Sequence, residues 1–275
     1  MESNDDLKRE MARFEAARVT APIDLQPAEL RVLLAVFDGT DQDATVAALA
    51  RAISARTGAT VREHHATGAE PLMGILAAAE GADLVIAPSP FGRDYLTEGH
   101  ESLSTTIDLL LTRCEAPVCL ARAPVDDAER CVSHPLVALQ VDRHRKVDAT
   151  AVGLALARGG GGLALLSVVD PSERTKREEL IGRYIDPRDL SPEVLATLAS
   201  ARAAALTAAL QRHAREWNVD ARVKFGLGEV VERTLDVAAR RRGLIVAGRD
   251  RDATSEGAQR ARRLVLASAL PVLLV

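Results

Sequence analysis

A chain of 275 residues is long enough for two domains of ordinary size, each with its own core. Hydrophobic residues at 47% and charged residues at 27% exclude a disordered polymer, and aromatics at only 3% argue against a nucleic-acid surface of stacked rings. The net charge of −4 hides an asymmetry, since residues 1–130 hold 12 Lys+Arg against 22 Asp+Glu, a net −10, and the remainder 23 against 17, a net +6. Opposite signs favour docking of one half on the other, within a chain or between chains.

Met1 to Arg18 reads as a charged amphipathic helix without the apolar stretch of a secretory signal. No segment reaches the roughly 18 uninterrupted apolar residues that span a bilayer, so a cytoplasmic protein with no membrane partner is expected. Next come short apolar runs alternating with helically spaced segments. The runs are Arg31–Asp38, Thr60–His65, Ala82–Ala87, Ala116–Ala121, Pro135–Asp142, Leu163–Val169, Gly243–Ala247 and Leu270–Val275. Most are continuous rather than alternating, as strands buried on both faces of a parallel sheet are. Helices are predicted over Ala44–Arg56, Leu72–Glu80, Ser104–Cys114, Val147–Ala157, Val194–Trp217, Val230–Arg241 and Ala258–Ala267. Strand alternating with helix implies βαβ crossovers and a doubly wound sheet.

The order repeats. Arg31–Asp38 matches Pro135–Asp142, each ending in Asp; Thr67–Pro71 answers Phe225–Glu229; Ala82–Ala87 answers Gly243–Ala247; and Ala116–Ala121 answers Leu270–Val275. The copies are unequal, because 45 residues separate Asp38 from Asp83 whereas 102 separate Asp142 from Leu244. The first copy therefore lacks a β-α unit, and its sheet is expected to be narrower by a strand. The predicted organisation is a helical extension over 1–30, a truncated α/β domain over 31–126 and a complete one over 127–275.

This order of features resembles the universal stress protein family: a first strand ending in Asp, a helix preceded by a Gly-rich turn, an Asp-Leu-Ile-Val-like strand (Asp83–Ile86, answered by Gly243–Val246), a glycine loop and a closing Pro-Val strand, in the same order twice after Leu30. The resemblance implies two tandem doubly wound domains of the adenine nucleotide alpha hydrolase type. It also implies closure of the sheets through the last strands, Pro117–Ala121 and Pro271–Val275, within the chain or in a homodimer. Nucleotide-binding members carry Gly-x2-Gly-x9-Gly followed by Ser or Thr, a loop whose amides approach phosphate at a helix N-terminus.

Neither copy keeps that loop. In the first, Ser89 replaces the first glycine, Gly92 and Arg93 fit, and Ser104 and Thr105 are hydroxyls near the place of the last position; Pro88 and Pro90 remove two N–H donors. In the second, Gly248 is kept, Arg249 follows, Arg251 stands where the second glycine belongs, and Gly257 comes too soon and precedes Ala258. Asp38 and Asp142 match the family's Asp beside the nucleotide, and each also reads as an ordinary cap or turn residue. Weak or absent nucleotide binding is expected, no cofactor is certain, and ATP or AMP is the alternative. The second copy is where an anion would be sought.

Eight arginines lie between Ala239 and Arg263. Arg249 and Arg251 fall at the sheet edge where doubly wound folds bind ligands, so they either grip an anionic metabolite or belong to a solvated face that pairs with the acidic half. Gly159–Gly162 follows a helix and precedes a strand, the order of a C-cap turn and not of a phosphate cradle. His64 and His65, adjacent in a strand, point to opposite faces and cannot share a metal, and Cys114, Cys119 and Cys131 form no ligand pattern. Helix 192–217 has a wide apolar stripe suited to a sheet or, alternatively, to a partner helix, and Asp170–Ser191 reads as a solvated loop or a lid. No Ser-His-Asp, Cys-His or paired-carboxylate arrangement emerges, so the expectation is a non-enzymatic stress-response protein acting by protein contact.

Overall fold

The computed structural model describes residues 24–66, 70–94, 103–139, 143–169 and 206–275. The extension before Asp24, Asp142 and the Asp170–Ser191 segment lie outside the described residues. The first half runs β1 (Val32–Phe37), α1 (Asp43–Thr57), β2 (Thr60–His65), α2 (Pro71–Ala78), β3 (Leu84–Pro88), α3 (Thr105–Arg113) and β4 (Val118–Ala121). A short helix α4 (Ala128–Ser133), too brief for its periodicity to be read from sequence, leads to β5 (Leu136–Leu139), α5 (Arg143–Ala157) and β6 (Gly162–Val169). Helix 206–214 follows, then β7 (Asp220–Leu227), α6 (Val230–Arg241), β8 (Ile245–Ala247), α7 (Glu256–Ala267) and β9 (Val272–Leu274).

The strands of the described residues join one nine-stranded sheet in the order β2-β1-β3-β4-β9-β8-β5-β6-β7. Every pairing is parallel except the central one, where β4 meets β9 antiparallel with Cys119 opposite Leu273. The last strands thus close on each other within the chain. Among the described residues four strands stand on one side of this seam and five on the other, with β7 at the outer edge of the larger side.

Alternation along the central strands sends side chains into two apolar layers. Leu33, Ala35, Ile86, Cys119, Val137, Leu165, Val246 and Leu273 face one layer, covered by α1, α4, α5 and helix 206–214; Leu34, Val36, Val85, Leu120, Ile245 and Leu274 face the other, under α2, α3, α6 and α7. Both layers run unbroken across the seam. Leu25, from the predicted extension, is fully buried in the first layer, and the Ala28 amide donates to the Ala151 carbonyl at 2.9 Å.

Arginines reinforce the seam on both faces. Arg56, in the last turn of α1, donates to the carbonyls of Leu156 and Arg158 at the end of α5, and to Glu129 at 2.8 Å. On the opposite face Arg262 of α7 pairs with Asp108 of α3 at 2.9 Å. Cations placed at helix C-termini meet the negative end of the macrodipole and satisfy its open carbonyls. The glycine run makes a turn: Gly159 and Gly160 have positive φ, and their amides donate to the carbonyls of Trp217 and Asn218. Gly161 fits only as glycine, since a Cβ would stand 2.3 Å from the Ser133 carbonyl oxygen.

Candidate functional site

In the first half the loop after β3 folds back on the end of β1. The Ser89 amide donates to the Ala121 carbonyl at 2.8 Å, the Ser89–Pro90 peptide is cis, and Pro90 and Phe91 are buried. Gly92 then adopts φ +69°, a left-handed turn that favours glycine. Its N–H donates to Asp38 Oδ2 at 2.6 Å, while Oδ1 of the same carboxylate accepts the Thr40 amide at 3.1 Å. Ser104, with φ +73°, caps α3: its Oγ accepts the Ile107 amide at 3.4 Å and the Phe91 amide at 3.3 Å.

Asp38 and Gly92 are therefore bonded directly, and Ser104 is joined to the same loop through the Phe91 amide. The Gly92 amide thus faces a carboxylate of the chain itself. Two further acids, not singled out from sequence, complete the arrangement. Asp43 accepts the amides of Asp38 and Gly39 at 3.1 and 3.0 Å, and Asp94 accepts that of Asp41 at 3.0 Å. Burial raises the Asp43 pKa above its ordinary value. Arg93 and Thr105 lie at the exposed rim. Ser89 Oγ is buried without a hydrogen-bond partner among the described residues.

The second loop is built differently. Gly248 is buried and Arg249 turns inward, only 8% exposed. Its Nη2 donates to the carbonyls of Cys114 at 3.0 Å and Ala116 at 3.1 Å, just past the C-terminus of α3 in the other half. Arg251, exposed, reaches the Glu115 carbonyl at 3.1 Å. Burial lowers the Arg249 pKa, with the Cys114 thiol opposing that shift and Arg251 adding to it. These two arginines meet over the turn that leaves α3 and not over an open edge, because the carbonyls of Cys114, Glu115 and Ala116 point at them.

Around the start of α7 the polar groups again close locally. Ser255 caps the helix through the Ala258 amide at 3.0 Å, a signal its position three residues before Ala258 could have given. A Cβ on Gly257 would lie 3.5 Å from Asp250 Oδ2, so this carboxylate packs beside the first turn of α7. Asp250 Oδ1 accepts the Asp252 amide at 3.2 Å, and Asp252 in turn accepts the Thr254 amide at 3.0 Å. Gly248 and Gly257 flank this turn.

The remaining candidates keep apart. His65 stacks on Phe37 with centroids 5.2 Å apart, while His64 Nε2 lies 3.3 Å from where a Cβ of Gly74 would be, on the other face. All three cysteines are free and buried; burial pushes the Cys131 thiol up to about 12 and raises Cys119 further, which keeps both in the unreactive thiol form. Among the described residues no group of three or more His, Cys, Asp or Glu is placed to hold a metal, and no helix is long and apolar enough to cross a membrane.

No family model matches the chain, and no curated protein matches it in sequence. Solved structures do match. A universal stress protein from Archaeoglobus fulgidus shares 11% identity and superposes with a TM-score of 0.56, covering 88% of this chain and 95% of that one. A functionally unknown protein from Pseudomonas aeruginosa gives 15% identity and a TM-score of 0.54 over 90% and 92% of the two chains. A third, from the same species and provisionally assigned as a universal stress protein, gives 14% and 0.54 over 90% and 93%. The architecture is thus that of the universal stress proteins.

Proposed function

We propose that the chain is a tandem protein of the universal stress type that acts in stress response through contacts with other proteins, is not an enzyme, and binds nucleotide weakly or not at all. It consists, on this reading, of two unequal copies of one domain. The observation that carries the proposal is the 2.6 Å bond between the Gly92 amide and Asp38 Oδ2. A carboxylate already in place supplies the negative charge a phosphate would bring, and a second anion there meets repulsion from Asp38, Asp43 and Asp94. The Asp250 carboxylate beside Gly257 supports the same reading for the second half.

The alternatives each require a bond to break. ATP or AMP binding in the first half needs the Gly92 amide released from Asp38. Sensing of another anionic metabolite by Arg249 and Arg251 needs Arg249 to leave the carbonyls beyond α3, uncovering acceptors in a buried place. Isothermal titration of ligand-stripped protein with ATP, AMP and a cyclic nucleotide tests the proposal. The expected result is no micromolar binding by any of the three. Micromolar ATP binding overturns it.

A further inference from the structure

The outermost strand of the larger half, β7, differs from the buried central strands: its burial alternates, and its eight residues pair only with β6. No strand lies beyond it among the described residues. The Asp220 amide donates to the Gly161 carbonyl at 3.0 Å, which fixes the phase of the parallel ladder. Backbone groups of Asp220, Arg222, Lys224 and Gly226 turn toward β6, and those of Ala221, Val223 and Phe225 turn outward, as a parallel ladder requires. The Leu227 carbonyl also turns outward, and it is taken by Arg233 Nε at 2.9 Å, which closes that end of the strand.

The two faces of this edge differ in chemistry. On one lie Ala221 and Val223, packed on the first apolar layer, followed by Phe225, 43% exposed and, with Met73, one of the large hydrophobics left exposed among the described residues. On the other, β7 contributes Asp220 and Arg222, paired with each other at 2.8 Å, then Lys224 and the bare Gly226, beside a groove of about 530 Å³ that is walled by α6 and also touched by Phe225. Lys224, Arg233 and Arg240 line that groove against the single acid Asp236, which already pairs with Arg240 at 2.6 Å.

We infer that β7 is a docking edge for an extended acidic segment of a partner protein, whose alternate residues are carboxylates over the groove and apolar side chains beside Phe225. Main-chain bonds to the outward amides would supply the pairing, and the alternation would supply the choice of partner. A second copy of this chain fits less well than an acidic segment, because it would bring the Lys224, Arg233 and Arg240 side of the groove a second set of the same cations. The inference deepens the proposal of action by protein contact and rests on it.

The test uses the full chain and a fluorescein-labelled peptide alternating valine with glutamate, followed by fluorescence anisotropy, with a valine–lysine peptide as its counterpart. The acidic peptide is expected to bind, more weakly as salt rises, and the basic one not to bind. Lys224→Glu, a change on an exposed side chain, and Phe225→Glu are each expected to weaken binding about ten-fold or more, with circular dichroism and melting unchanged. Equal binding of both peptides, no binding of the acidic one, or binding indifferent to Lys224→Glu would overturn the inference. So would light scattering that finds a dimer broken by Phe225→Glu, since a second copy would then own the edge. Nucleotide titration reads a different place, so micromolar ATP binding sinks the proposed function while leaving the peptide result to stand or fall alone.

Discussion

The two loops that follow β3 and β8 occupy equivalent places in their halves, yet each has closed in its own way. In the smaller half an acid moves in: Asp38 takes the Gly92 amide, and prolines and Phe91 fill the turn. In the larger half a base moves out, as Arg249 leaves the edge for the carbonyls past α3. The first closure is internal to its half, whereas the second ties one half to the other. The smaller half thus has a locally satisfied turn, and the larger one a structural clasp.

That contrast can be broken at several points. The largest effect is expected from Leu273→Asp, which places a charge in the fully buried strand opposite Cys119. An unpaired buried carboxylate costs about 4 kcal/mol or more, and urea denaturation should show both halves lost together. A surviving folded half would mean that the seam is not shared. Next, Arg249→Leu should cost about 2–3 kcal/mol by stranding the carbonyls beyond α3, while Arg251→Ala, at an exposed site, should stay within about 0.5 kcal/mol. Equal losses at the two arginines would erase the distinction between clasp and rim.

Smaller effects sharpen the picture of the first loop and of pH. Asp38→Asn removes a charge-assisted acceptor from Gly92 and should cost about 1–2 kcal/mol in thermal or urea unfolding. ATP binding is expected to remain absent in this variant; its appearance by titration would show a cradle merely covered. The smallest effect concerns His134, whose pKa is lowered from 6.5 by burial and by the nearby charges of Arg130, Arg241 and Arg56. The fold favours its neutral ring, so this stabilisation is present above pH 6.5 and is lost as pH falls through the lowered value. Melting temperatures of the parent and of His134→Gln should converge over that fall; parallel curves would remove His134 from the account.

Much of this architecture could be read from residue order. Continuous apolar runs such as Leu84–Ala87 and Leu163–Val169 identify themselves, because both faces of a parallel strand are buried, and the 102-residue interval against 45 foretold the extra strand. The Val230–Arg241 helix appears with the predicted bounds, since its apolar face is strongly periodic. What the closing strands would pair with stayed open, because Val118–Ala121 and Val272–Leu274 carry no mark of direction or partner. β7 was not delimited, as its alternation breaks at Phe225-Gly226. The inward turn of Arg249 was hidden for another reason: a side chain in a loop obeys no period, and its acceptors lie more than a hundred residues earlier. The contact of Asp38 with Gly92 is equally non-local, though the Asp38-Gly39-Thr40 turn itself was visible.

The antiparallel seam also bears on how the chain is made. A ribosome delivers β1 to β4 long before β9 exists, so the smaller half must wait with β4 bare along one side, an apolar strand edge of the kind that recruits other nascent chains. Its proper partner arrives only when Val272–Leu274 has been synthesised, through one of the most distant pairings in the sequence. Chaperone dependence and yield on expression should therefore track the time spent between those two strands, and slowing translation across residues 206–275 would be felt as aggregation of a first half whose own sequence is unchanged.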